Sequence, residues 1–119
     1  MKCLEIEKKG EEVCILHYTG ELTLECVQEA KEETESYVSS DAVHTLVIDL
    51  SRTVFLDSSG IGFLVHIHNR MQSLDKNLYL YNLSLQVKKT LGLVKLLDFF
   101  HILESEADLN QLMDEPGTQ

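Results

Sequence analysis

Eight consecutive residues, Phe55-Leu56-Asp57-Ser58-Ser59-Gly60-Ile61-Gly62, hold the polar groups best placed to do chemistry. A carboxylate and two hydroxyls stand where an apolar run ends and a helical pattern begins. Asp57 or Ser58 can accept hydrogen bonds from the first free amides of that helix. Capping needs only one such group, however, and two serines followed by two glycines exceed it. Gly60 and Gly62 each cost roughly 1 kcal/mol against alanine in a helix interior. They make sense where another segment or a partner must approach the backbone closely.

A serine at such a turn could also be a nucleophile. The strand-turn-serine-helix order superficially matches a hydrolase elbow, but that motif needs glycine two residues before the serine, and Leu56 stands there. No motif nominates a general base among His17, His44, His66, His68 and His101. The small serine hydrolase alternative therefore lacks both its glycine and its base. His66 and His68, two apart on a helix, point in different directions and form no metal pair. Gly60-Ile61-Gly62 lacks the third glycine and the lysine of a phosphate-binding loop, so no nucleotide cofactor is assigned to this chain. Three cysteines, Cys3, Cys14 and Cys26, include no C-x-x-C and no metal spacing, and reduced thiols are expected. No metal and no cofactor are expected.

The turn must be positioned by one domain, because 119 residues suffice for a single core. Ten Lys and Arg against twenty Asp and Glu give a formal charge of −10, which disfavours nucleic acid and anionic membrane surfaces. No window approaches about 18 uninterrupted apolar residues, so no membrane insertion is expected. Met1 to Glu7 alternates apolar with charged residues instead of forming a signal-peptide core, and a cytoplasmic location is expected.

Leu4–Ile6 and Val13–Tyr18 read as two strands of a hairpin around Lys9-Gly10-Glu11-Glu12. Leu24 to Tyr37 carries a helical stripe that Thr23 can cap. Thr45–Leu50, nearly all apolar, reads as a central strand covered on both faces. The run carries on, after Ser51-Arg52-Thr53, into the short Val54-Phe55-Leu56. The helix after Asp57 runs to about Leu74, with Ile61, Leu64, Val65, His68 and Met71 on its inner stripe. Phe63 and Ile67 fall off that stripe, either buried under a neighbouring helix or forming a partner-facing patch. A strand over Leu78–Leu83, a helix around Gly92, an edge strand over Phe100–Leu103 and a helix over Ala107–Met113 complete the pattern. Alternation of this kind predicts an α/β fold with helices packed on a mixed sheet. The expected domain spans residues 1–113, with a flexible tail over 114–119.

Asp57-Ser58-Ser59-Gly60-Ile61-Gly62 after the strand Leu46–Leu50 resembles the signature of the STAS domain family (sulfate transporter and anti-sigma factor antagonist). Its single-domain bacterial anti-sigma factor antagonists (anti-anti-sigma factors) are the most similar members. Leu16-His17-Tyr18-Thr19-Gly20-Glu21-Leu22 resembles the family strand ending in Gly-Glu-Leu, and Val47-Ile48-Asp49-Leu50 its central strand. Val87-Lys88-Lys89-Thr90-Leu91-Gly92-Leu93 resembles its late helix and turn. The resemblance implies a mixed sheet of four or five strands with helices largely on one side. It also implies a non-enzymatic partner switch. An anti-sigma factor with serine kinase activity would phosphorylate Ser58, the unmodified protein would bind that factor and free the sigma factor, and a PP2C-type phosphatase would reset the switch.

Ser59 is the runner-up phosphoacceptor, ranked lower because its hydroxyl is expected to be engaged in the first helical turn. The expected partner surface is Glu21, Thr23, Asp57, Ser58, Ser59, Gly60, Ile61 and Phe63. Thr23 departs from the aspartate that many members carry there. Glu21, Glu25, Glu29, Glu32, Glu33 and Glu35 form either a solvated helix face or a negative rim that steers a basic partner. A STAS scaffold of a larger signalling assembly, or a transporter accessory, is the alternative within the family.

Overall fold

Strand β3 (Thr45–Leu56) is central because its side chains are apolar on both faces. Leu46, Ile48 and Leu50 point one way and Val47 the other, and all four are fully buried. The computed structural model describes residues 4–9 and 12–114. The other elements are β1 (Leu4–Lys9), β2 (Val13–Leu22), α1 (Leu24–Val38), α2 (Ser58–Ser73), β4 (Asn77–Tyr81), α3 (Leu85–Leu93), β5 (Ile102–Leu103) and α4 (Glu106–Asp114). The sheet order is β1-β2-β3-β4-β5. β1 lies antiparallel to β2, with Leu4 opposite Tyr18 and Lys9 opposite Val13. All other pairs are parallel, as connections through helices require.

One face of the sheet packs Cys14, Leu16 and Tyr18 of β2 with Leu46, Ile48 and Leu50 of β3 beneath α1, α2 and α3. On the other face Ile15 and Val47 meet Leu109 of α4, with Tyr79 and Tyr81 beside them. Three helices thus cover one side and a single terminal helix part of the other, as the mixed-sheet reading expects.

β3 itself carries on past Leu50 as expected, and Thr53 is part of it: fully buried, its hydroxyl donates to the Tyr18 carbonyl at 3.0 Å. The strand runs on to Leu56 with register shifts against β2 between His17 and Thr19 and between Gly20 and Glu21. Gly20 sits at φ +95°, a left-handed backbone that suits glycine. Several local expectations need correction. Thr23 occupies the N-cap position of α1, yet its side chain makes no capping bond. The inner face of α2 is wider than the expected stripe: Phe63 and Ile67 are buried with Leu64, His68 and Met71, while Ile61 and Val65 are only partly buried. A helix wedged between a sheet and a neighbouring helix buries more than one narrow row. β4 ends at Tyr81, and β5 is two residues long. Cys14 is a free, buried thiol, whereas Cys26 is disulfide-bonded, which corrects the expectation of reduced thiols there. Cys3, the hairpin residues Gly10 and Glu11, and tail residues 115–119 lie outside the described residues.

The buried Tyr18 hydroxyl pairs with Thr34 Oγ1 of α1 at 2.7 Å, and burial pushes its pKa well above that of a free tyrosine. Tyr18→Phe leaves the Thr34 hydroxyl unpaired in the core, at an expected cost of about 1–3 kcal/mol. Urea denaturation checks this. The double variant Y18F/T34V should recover part of the loss, since no orphaned polar atom remains.

Candidate functional site

The candidate turn forms where β3 leaves the sheet at Leu56. Asp57 has extended backbone, and its Oδ1 accepts the Gly60 N–H at 3.0 Å. Asp57 is therefore the cap, and Ser58 is freed from that role. Ser58 begins α2 and is exposed, while Ser59 is partly buried. Among the described residues neither hydroxyl has a hydrogen-bond partner. The expected engagement of the Ser59 hydroxyl is thus absent, and exposure alone separates the two serines.

Gly60 is buried, and a Cβ there would lie 2.3 Å from the Leu22 carbonyl oxygen and 2.7 Å from Leu56 Cδ1. The segment that approaches it is the end of β2. This corrects the assignment of Gly60 to the partner surface. A Cβ on Gly62 would meet nothing within 4 Å. Phe63 is also corrected: it is 1% exposed, edge-on to Tyr18 with ring centroids 5.8 Å apart. Ile61 is half-buried at the margin of the core.

The remaining expected residues come together. Glu21 pairs with Phe55 and Leu22 with Leu56 in the β2–β3 register. Exposed Glu21 and half-buried Thr23 consequently stand beside Asp57, Ser58 and Ser59 at one end of the sheet. The acidic residues of α1 divide: Glu25, Glu29 and Glu32 face solvent, whereas Glu35 pairs with Arg70 of α2.

An apolar rim at this end escapes sequence reasoning. Leu24 is 57% exposed, Val54 60%, Phe55 44% and Leu85 83%. Leu24 and Leu85 each open a helix directly after its N-cap, Thr23 or Ser84. Ser84 ties α3 to the end of β3, donating from Oγ to the Thr53 carbonyl at 2.7 Å and from its N–H to Leu50 at 3.3 Å. Helices α1, α2 and α3 all begin at the carboxyl ends of parallel strands, the edge where open α/β sheets bind their ligands. The signal available in the sequence was a leucine directly after each N-cap residue, where a polar side chain is the commoner choice.

Chemically, the site is a surface that offers a free hydroxyl. No histidine hydrogen-bonds Ser58; both ring nitrogens of His17 face carboxylates of the sheet instead. Cavities of about 280, 200 and 370 Å³ are lined by other residues. Among the described residues no cluster of three or more His, Cys, Asp or Glu could hold a metal, and no helix is long and apolar enough to cross a membrane.

A five-stranded mixed sheet with a capped Asp-Ser-Ser-Gly turn at its carboxyl edge defines a class. The STAS domain family model matches residues 5–109, and the chain belongs to that family. It is 28% identical over 85 residues to the anti-sigma-B factor antagonist of Staphylococcus epidermidis, covering 71% of this chain and 78% of that one. It is 24% identical over 107 residues to the anti-sigma-B factor antagonist of Listeria monocytogenes, covering 90% and 93%. The fold matches the anti-sigma factor antagonist SpoIIAA in its unphosphorylated form, with TM-score 0.77, 21% identity, and coverage of 92% of this chain and 94% of that one. The phosphorylated form of Bacillus SpoIIAA matches with TM-score 0.73 at 20% identity, covering 92% and 98%.

The two glycines of the turn should respond oppositely to alanine. Gly60→Ala forces the methyl against backbone at Leu22 and should lower stability by at least about 1–3 kcal/mol. Gly62→Ala meets open space and should raise stability by up to about 1 kcal/mol through helix propensity. Thermal melts of both variants beside the parent decide this, and equal effects would contradict the close approach.

Proposed function

We propose that this protein is an anti-sigma factor antagonist in a phosphorylation-controlled partner switch. Its unmodified form binds an anti-sigma factor with serine kinase activity and so frees a sigma factor. Phosphorylation of Ser58 by that kinase blocks binding, and a PP2C-type phosphatase reverses it. The role is one of binding, exercised in the cytoplasm, with no catalysis by this chain. The observation that carries this reading is an exposed Ser58 hydroxyl without a partner, beside an apolar rim, in a turn capped by another residue. The names of the relatives support the same reading.

The physical logic follows from the turn. A phosphoserine adds about −1.5 to −2 charge. At the first residue of α2, free amides and the helix dipole favour that charge. The fold should therefore tolerate the phosphate. A partner burying Ser58 would meet a bulky dianion beside Asp57, and losing even about 3 kcal/mol of binding corresponds to roughly a hundredfold or more in affinity. Glu21, Thr23, Asp57 and Ser59 frame the contact, and Leu24, Phe55 and Leu85 supply its apolar part.

The test uses the cognate kinase with Mg-ATP and site-localising mass spectrometry, followed by calorimetric titration. One phosphate on Ser58 is expected, and full modification of Ser58→Ala would overturn the assignment. Because Asp57 is the cap, Ser58→Ala should fold within about 0.5 kcal/mol of the parent and bind constitutively. Ser58→Asp should melt near the parent and bind at least about a hundredfold more weakly. Phe55→Ala should weaken binding without lowering the melting point. A scaffold role in a larger assembly makes the opposite prediction, with binding indifferent to charge at Ser58.

A further inference from the structure

The sheet face opposite the three-helix layer carries a charged cluster that the switch does not use. α4 covers the part of this face near Ile15 and Val47. Farther along β2 and β3, His17 stands opposite Asp49 in the parallel register. His17 Nδ1 lies 2.6 Å from Asp49 Oδ2, and Nε2 lies 2.8 Å from Glu7 Oε1 of β1. Each carboxylate is held in place. Asp49 Oδ1 accepts the Ser51 N–H at 2.9 Å, and Glu7 Oε2 pairs with Lys9 Nζ at 3.2 Å.

A neutral imidazole has one N–H and one lone pair, whereas ionised carboxylates only accept. Facing two of them, a neutral ring would point a lone pair at one carboxylate. The imidazolium donates to both. We infer that Glu7, His17 and Asp49 form a proton-dependent fastener that holds the edge strand β1 to the body of the sheet.

Beyond its ladder to β2, β1 makes few buried side-chain contacts. It has a single neighbour in the sheet, and Leu4 is its only buried side chain, with Ile6 half-buried. Segments with so few buried contacts open at low cost. The surrounding charges are of both signs: Glu5, Glu7 and Asp49 favour the cation, Lys9 and Arg52 oppose it, and Tyr81 of β4, with Glu106 of α4 beside it, borders Asp49. Burial pulls the His17 pKa down, but its hydrogen bonds to Asp49 and Glu7 outweigh this and leave it above the ordinary value. Glu7 is held below its ordinary value, first by the bond from His17 and then by Lys9.

The sign of the pH dependence follows. A raised folded-state His17 contributes stability in full below its usual value of about 6.5, and that share disappears as pH rises through the raised value. A depressed Glu7 contributes above its usual value of about 4.3 and loses its share as pH falls through the lowered one. β1 is therefore held most firmly in the mildly acidic range and loosens toward alkaline pH.

NMR on the full chain tests this. At about pH 6 both ring nitrogens of His17 should show imidazolium shifts, and its titration midpoint should lie above about 6.5. Amide protection in β1, corrected for intrinsic exchange, should fall through that midpoint by about tenfold for each unit by which His17 is raised. β4 amides should change less than about twofold over the same range. His17→Gln should abolish the step. If that variant does not fold, Glu7→Gln serves instead, and it should lower the His17 midpoint and shrink the step. A midpoint at or below about 6.5, equal loosening of β1 and β4, or a step that survives removal of His17 overturns the inference.

Discussion

The first turn of α2 presses so closely on the end of β2 that no side-chain carbon fits between Gly60 and the Leu22 carbonyl. The rest of the candidate site depends on this backbone contact. It lets Asp57 fold back and accept the Gly60 amide, which closes the helix end without help from either serine. It brings Leu22 and Leu56 together beneath the turn, where both are buried. Ser58 is consequently presented outward by backbone geometry, and among the described residues its hydroxyl has no hydrogen bond that a modification would break. For the proposed switch such a mount would suit a group that changes its charge, because packing and signalling would then rest on different atoms.

The same end of the sheet collects exposed apolar side chains. Leu24 and Leu85 project from the starts of α1 and α3, and Val54 and Phe55 from the overhanging end of β3. That overhang exists because β3 pairs with β4 only as far as Asp49, while Ser84 bonds to Leu50 and Thr53 farther along. Burying about 100 Å² of such apolar surface would contribute roughly 2.5 kcal/mol to an association. In the proposed switch, apolar area would supply affinity and charge at Ser58 would supply control.

Much of the fold was legible because its signals are local. The apolar run Thr45–Leu50 marked a strand covered on both faces, and Asp57 before a helical pattern marked a cap. The reason for Gly60 was half legible. Its cost announced a close approach, but Leu22, which makes that approach, lies 38 residues earlier in the chain. Phe63 and Ile67 stayed open between burial under a neighbouring helix and a partner-facing patch, because the sequence pattern does not show that α2 faces a sheet and a helix together; both are buried. The continuation of β3 through Ser51-Arg52-Thr53 was legible, but the partner of Thr53 was not, because Tyr18 lies across the sheet. The Glu7, His17 and Asp49 cluster had no signature at all. Its members are 10 and 32 residues apart and meet only through strand register.

Strand β2 links the two charge-sensitive places in this domain, and its construction explains why they need not disturb each other. His17 lies on one face of the sheet and Leu22 five residues on, beneath the candidate turn. Between them stands Tyr18, whose ring packs on Phe63, whose hydroxyl pairs with Thr34, and whose carbonyl holds Thr53. These three contacts reach α2, α1 and β3, and none of them titrates near neutral pH. A change of charge at His17 therefore acts on β1, its least secured neighbour, before it can act on a residue fixed from three sides. In the proposed switch, a change of charge at Ser58 would act on what docks at the carboxyl edge, because the backbone beneath it is already locked against Leu22. With the titrating His17 and the proposed phosphoacceptor Ser58 on either side of a rigid anchor, the response of the edge strand would stay separate from that of the proposed docking surface.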